Sequence, residues 1–296
     1  MTQSYQARRP LALTALAMCA FAGNSLLCRA ALANTTIDPA SFTAIRLASG
    51  AAFLSLLVAW QRKSISGAGS WCSATLLFLY AAAFSYAYIS LSAATGALLL
   101  FGAVQITMIG VGFSRGERLT AGQVTGAALA LAGLIGLLLP GITAPEPLGA
   151  MLMVAAGIAW GGYSLRGRHA TDATLATTGN FIRTLPLAAL LMLLASGSLS
   201  IDATGTLLAI ASGALASGLG YALWYAALPY LRASSAATVQ LSVPVITALA
   251  GALLLSEPIS LRLAIASIVT LGGIAMVIHY GRARSIPNTE PPQNDK

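Results

Sequence analysis

The chain has 296 residues, of which 57% are hydrophobic and 8% charged, with mean hydropathy +0.80 and a formal net charge of +8. A soluble domain carries about 25% charged residues, so the composition excludes a soluble enzyme or binding module and describes an integral membrane protein. The basic excess sits at the ends of apolar runs rather than in one patch, so it reads as topology and not as a nucleic-acid footprint.

A helix crosses a hydrocarbon core of roughly 30 Å with about 20 apolar residues. Breaks in the apolar pattern predict ten such spans, near 10–33, 41–60, 71–91, 93–113, 120–140, 148–169, 172–195, 203–228, 232–255 and 260–281. Residues 1–9 read as a short cytoplasmic segment ahead of Pro10. The first run ends in Ala31-Leu32-Ala33, a sequence like an export-signal cleavage site, but it is too long for a signal core and has a partner later in the chain. From Arg284 the chain is rich in Pro, Asn and Gln and reads as a disordered cytoplasmic tail, 283–296.

Two halves of the chain repeat one another. Gly116-Glu117-Arg118-Leu119-Thr120 recurs as Ser256-Glu257-Pro258-Ile259-Ser260, 140 residues on, each ahead of an apolar run. Ala20 to Leu26 matches Ala159 to Leu165 at a spacing of 139, and Arg46 matches Arg183 at 137. The pattern predicts five-helix units over 10–145 and 146–282. With an odd number of spans each, the second must enter the bilayer inverted, the plan of secondary transporters with a midplane site. Lys and Arg are retained on the cytoplasmic side. Placing both termini there puts twelve of the sixteen basic residues on that side.

Polar groups inside spans are few. Asn24, Gln105, Asn180, Arg183 and Gln240 fall in the middle thirds of their helices, with Arg46 nearer the outer surface. The amides read equally as interhelical hydrogen bonds or as cavity lining. Arg183 is too deep to snorkel and must meet water or a cluster of carbonyls. All eight acids, Asp38, Glu117, Glu146, Asp172, Asp202, Glu257, Glu290 and Asp295, lie at span ends, in loops or in the tail. A carrier of cations coupled to protons or sodium needs an intramembrane acid, so a neutral, zwitterionic or anionic solute is the better expectation. Glu117 and Glu257 read as carboxylates that open helices, where the dipole favours them.

Aromatic residues cluster in spans one, three, four, six and eight: Phe21, Phe84, Tyr86, Tyr88, Phe101, Trp160, Tyr163, Tyr221, Trp224 and Tyr225. Trp60, Trp71, Tyr80 and Tyr280 read as interfacial belt residues. Phe21 with Trp160, and Asn24 with Tyr163, are repeat partners, so both halves offer a ring and a polar group to one midplane pocket. The expected substrate-binding set is therefore Phe21, Asn24, Phe84, Tyr86, Phe101, Gln105, Trp160, Tyr163, Arg183, Tyr221, Trp224 and Gln240, with Arg46, Pro186 and Pro244 as gate or hinge. Gly126, Ala130, Gly133, Ala266 and Gly273 make small-residue helix faces. Cys19, Cys28 and Cys72 have no metal-binding or paired spacing, and no hydrolase, metal, Walker or redox motif is present. No catalytic residue, metal or cofactor is expected.

With these features in hand, the sequence resembles the EamA branch of the drug/metabolite transporter superfamily over residues 10–282. The likeness rests on the twofold five-span repeat, the Glu after spans four and nine, Glu117-Arg118-Leu119-Thr120-x-x-Gln123-x-x-Gly126 with Gly133 beyond it, and Pro244. The second copy departs from it, with Leu263 at the position of Gln123. The chain looks most similar to bacterial inner-membrane aromatic amino-acid exporters of the YddG type. That resemblance implies an inner-membrane carrier of amino acids, with spans five and ten peripheral to the cavity. The partners expected are a small-molecule substrate and the lipid bilayer, with no obligate protein partner and no nucleic acid. Two alternatives stand beside it: an exchanger of anionic metabolites of the sugar-phosphate type, which needs two converging basic groups, and a membrane scaffold or sensor without flux.

Overall fold

The computed structural model describes residues 2–114, 116, 119–139, 141, 144–167, 170–227 and 239–282, with side chains between Leu11 and Tyr280. Its elements are α1 (Thr2–Asn34), α2 (Pro39–Trp60), α3 (Trp71–Ala87), α4 (Ala93–Ser114), α5 (Ala121–Leu138), α6 (Pro147–Gly167) and α7 (Ala173–Leu194). They continue with α8 (Ala203–Ile210), a π-helical segment (Ala211–Leu219), α9 (Gly220–Ala227), α10 (Ser242–Leu254) and α11 (Leu261–Arg282). Among the described residues there is no strand. Eight helices are long and apolar enough to cross a membrane, counting Ala203–Ala227 as one rod, while Trp71–Ala87 and Ser242–Leu254 are shorter.

Helix starts follow side-chain capping. Asp38 accepts from the amides of Ala40 and Ser41, Asp172 from Leu175, and Asp202 from Gly205. Thr120 and Gln123 form a reciprocal capping box at α5. Four boundaries differ from expectation. Residues 2–9 are not a separate segment but the first turns of α1. α3 stops at Ala87, four residues short of the expected 91, because the chain turns at Tyr88 to begin α4. Glu257 does not open α11; Ser260 caps that helix through the amide of Leu263. The rod Ala203–Ala227 is interrupted by π geometry rather than regular throughout. Glu117, the first part of the expected ninth span and the tail 283–296 lie outside the described residues.

α5 and α11 pack on each other, and α4 is their chief other neighbour. Their seam is glycine against backbone: a Cβ on Gly126 would stand 2.6 Å from the Gly273 carbonyl oxygen, and one on Gly273 2.5 Å from that of Gly126. The remaining helices surround a core in which α3 and α4 pack on α6, α2 packs on α7 and the π segment, and α1 packs on α9 and α10. Pro186 lies inside α7, and Pro244 lies in the first turn of α10, where its missing N–H needs no partner.

Candidate functional site

Helical spacing brings rings inward from four directions. α1 offers Phe21, Asn24 and Ser25 on one face; α3 offers Tyr80, Phe84 and Tyr88 at intervals of four; α6 offers Trp160 and Tyr163; α9 offers Tyr221, Trp224 and Tyr225. Trp160 is the hub, with ring centroids 4.8 Å from Tyr80, 5.5 Å from Tyr163 and 5.1 Å from Tyr221. Phe21 meets Tyr221 and Trp224 edge-on at 5.9 and 6.1 Å, the arrangement aromatic quadrupoles favour.

These rings enclose a small cavity of about 20 Å³ lined by Phe21, Asn24, Tyr80, Phe84, Trp160 and Tyr221, with Ser25, Leu100, Phe101, Ala216 and Ser217 completing the wall. That volume admits about one water. On the far side of Trp160 a vestibule of about 430 Å³ is bordered by Tyr163, Thr177, Asn180 and Tyr225 and by Ser70, Ser73 and Arg166. The Trp160–Tyr163 stack separates the two spaces.

The polar centre of the cavity is Tyr80, which is 4% exposed. Its hydroxyl accepts from Arg46 Nη2 at 3.0 Å and from Asn24 Nδ2 at 3.1 Å. Arg46 also donates from Nε to Ser217 Oγ at 3.4 Å and lies over the Tyr80 and Phe84 rings, 5.2 and 4.9 Å from their centroids. Ser212 donates to Asn24 Oδ1 at 2.7 Å. Ser212 and Ser217 are five residues apart, about 140° round an α-helix of 3.6-residue period. The i→i+5 ladder of the π segment brings positions five apart nearly into line, so both hydroxyls face this centre. Small residues permit the approach: a Cβ on Gly213 would strike the Arg46 carbonyl.

One expectation about position is corrected here. Tyr80 is not an interfacial residue but the core of the site. Arg46, the eighth residue of α2, is 2% exposed and sits directly behind the cavity wall. Of the expected binding residues, Phe21, Asn24, Phe84, Phe101, Trp160 and Tyr221 line the cavity, Trp224 abuts Phe21, and Tyr163 faces the vestibule. Tyr86 is half-buried and out of phase with Phe84, and neither Gln105, buried on α4, nor half-buried Gln240 lines either space.

Arg183 is not brought to the aromatic group. Its Nη1 donates to the carbonyls of Ala68 and Gly179, one of the two environments its depth allowed. The connection between α2 and α3 folds against α7 to supply the first, and α7 itself supplies the second: Ser70 donates its amide to Asn180 Oδ1 at 2.8 Å, and Gly69, at φ +79°, leaves no room for a side chain against Asn180.

One helical turn beyond Ser25 in α1, an ion-pair cluster ties the helices together. Arg29 Nε meets Glu257 Oε1 at 2.8 Å, and Arg29 Nη1 donates to the carbonyls of Tyr88 and Ile89 at 2.9 and 3.0 Å. Glu257 Oε2 accepts the Ala93 amide at 2.7 Å, capping α4. At the vestibule end, Lys63 and Asp172 pair at 2.5 Å.

The capping carboxylates carry a pH signature. A hydrogen bond from Lys63, with the Leu175 amide, holds Asp172 below its ordinary range. The Gly205 amide does so for Asp202, and the Gly149 and Leu148 amides for Glu146. Burial pushes Asp38 up, but the Ser41 hydroxyl and the amides of Ser200, Ser41 and Ala40 outweigh it and its pKa is lowered. Depressed folded-state values mean a contribution complete above the ordinary carboxylate range, about 4, and lost as pH falls through the lowered values. The unfolding temperature in detergent is therefore expected to be level between about pH 7 and 5 and to fall below about pH 4. An unchanged midpoint at pH 3 would show these caps to contribute nothing.

Comparisons with known proteins give one family match, one full-length relative and a shared fold. Residues 147–279 match the EamA-like transporter family. An uncharacterized protein of Pseudomonas aeruginosa is 57% identical over 279 residues, which cover 93% of this chain and 97% of that protein. A crystal structure superposes with TM-score 0.65 over 92% of this chain and 99% of its own; at 21% identity it shows a shared fold alone. With its apolar helices, buried aromatic cavity and full-length relative, the chain belongs to the EamA-like transporter family, multi-pass membrane transporters of small molecules.

Proposed function

We propose that this protein is a secondary transporter working by alternating access, exporting amino acids with aromatic side chains and related small metabolites across a bacterial inner membrane. It comprises ten spans in two inverted five-helix repeats with both termini in the cytoplasm. The observation that carries this reading is the aromatic cavity flanked at one end by Arg29 and Glu257 and divided from an open vestibule at the other by one aromatic stack. One thin and one thick barrier around a central site is the form an alternating-access carrier takes. The vestibule lies at the end carrying Lys63 and Arg166, which the positive-inside rule turns to the cytoplasm. The family match begins and ends close to the second expected repeat. A two-arginine site of the sugar-phosphate kind finds less support, since Arg183 is committed to carbonyls.

Counterflow in liposomes containing only this protein tests the reading, with labelled phenylalanine and tryptophan against sugar phosphates and organic cations. Exchange of the amino acids without a pH or sodium gradient is expected, because no acid among the described spans can carry a coupling ion. Strict dependence on either gradient, or exchange of sugar phosphates alone, would overturn it. Reporters after Arg284 and at Glu146 are expected to face cytoplasm and periplasm respectively.

A further inference from the structure

We propose that the group this site recognises first is the substrate's carboxylate, held by Tyr80 under the positive field of Arg46, so that aromatic monocarboxylates lacking an ammonium are ligands. The inference rests on the transporter reading and names the chemistry of its substrate.

Arg46 is buried to 2% exposure, and among the described residues no carboxylate pairs with it. Its Nη1 has no hydrogen-bond partner there. Two rings and two hydroxyls compensate the charge only in part, since cation–π contacts and neutral acceptors are weaker than an anion. A buried guanidinium left this way favours an incoming anion.

Tyr80 conveys that preference into the cavity. Its oxygen receives hydrogen bonds from both Arg46 and Asn24. A phenol oxygen has two lone pairs and one proton. With both lone pairs engaged, the hydroxyl can act on a ligand only as a donor, and the neighbouring guanidinium strengthens it in that role. Ser217, also engaged by Arg46, lines the same wall. A carboxylate oxygen fits this donor; an ammonium does not.

For an ammonium the cavity holds no acid, only ring faces and neutral oxygens, the faces of Tyr80 and Phe84 already being turned to Arg46. Its polar lining is Asn24, Ser25, Tyr80 and Ser217, without an acid, and the rest is aromatic or aliphatic. The cavity admits about one water as it stands, so a ligand enters by displacing the Trp160 partition, and its ring takes the place of part of that stack.

Three probes with one ring and different ends decide the matter: 3-phenylpropanoate, L-phenylalanine and 2-phenylethylamine. Binding is measured by thermal shift of the full chain in detergent, and flux separately by counterflow. Phenylpropanoate is expected to bind at least as tightly as phenylalanine, and phenylethylamine at least about tenfold more weakly. Arg46→Gln is expected to abolish the preference. Because that variant risks misfolding, Tyr80→Phe supplies the second arm: it retains the ring beneath the guanidinium, removes the donor, and is expected to reduce the carboxylate preference about tenfold. Equal binding of phenylethylamine and phenylpropanoate, no binding of phenylpropanoate, or a preference unchanged in Tyr80→Phe would each overturn the proposal. Phenylpropanoate binding without flux of any probe would leave the anion site standing and sink the transporter reading; phenylalanine flux without carboxylate preference would do the reverse.

Discussion

Glu257→Gln is expected to raise the rate at which a membrane-impermeant maleimide modifies Cys28 by roughly tenfold to a hundredfold, in a background of Cys19→Ala and Cys72→Ala. Cys28 is fully buried and adjoins Arg29 in α1. The Glu257 carboxylate holds α1 through Arg29 and α4 through the Ala93 amide, while Arg29 reaches the carbonyls that end α3. Both side chains are largely withdrawn from solvent, at 19% and 14% exposure, so this is more than a screened surface pair. Hydrogen bonds to charged groups contribute about 1.5–3 kcal/mol each. The amide of glutamine keeps the volume and one acceptor but turns a donor toward either Arg29 or Ala93. Weakening by that amount shifts the closed-to-open ratio by one to two orders of magnitude on the usual conversion of about 1.4 kcal/mol per tenfold. An unchanged labelling rate in a variant with the parent's unfolding temperature would place the seal elsewhere.

Much of this arrangement is legible in the sequence because helices impose their own period. Phe21 with Asn24, and Trp160 with Tyr163, are three residues apart, so a helix must put each pair on one face, and the structure uses both faces. What the sequence does not disclose is depth and partnership. Tyr80 stands ten residues after Ser70, the cap of α3, about 15 Å along the axis. That is too deep for a belt residue, but a mid-membrane phenol is tolerable only with a partner, and its partner Arg46 lies 34 residues away in sequence.

The repeat-related arginines show the same limit. Arg46 and Arg183 occupy matching places in the duplication, but the connection Gln61 to Ser70 folds onto α7 and offers the Ala68 carbonyl to Arg183. Sequence symmetry sets which helices correspond; the asymmetric connection sets what each guanidinium meets. The alignment of Ser212 with Ser217 escapes a reading based on a 3.6-residue period, since it depends on π geometry. The only sign of it is the run of Ala, Ser and Gly over 211–218, broken only by Leu215, which leaves the coil room to widen.

Trp160→Ala is expected to lower amino-acid counterflow per folded molecule by about tenfold or more, while Trp60→Ala leaves it near the parent value. Trp60 is 82% exposed at the end of α2 and touches nothing in the site. Trp160 contacts Tyr80, Tyr163 and Tyr221, and each aromatic pair contributes about 0.5–1.5 kcal/mol beyond burial. Three such contacts suffice for the expected loss if the substrate ring exploits the same surface. Removing the indole also joins the cavity to the vestibule, so the site loses its wall on the open side and solute is no longer occluded between exposures. Truncating a packed tryptophan costs about 3–5 kcal/mol where its surroundings cannot collapse, so stability has to be separated from transport. Trp160→Phe does this: it restores a ring of lesser reach, and is expected to recover the unfolding temperature more fully than the flux. Should Trp160→Ala lower only the unfolding temperature and leave flux per folded molecule intact, the indole is packing, and the partition between cavity and vestibule must lie in Phe21 and Tyr221 instead.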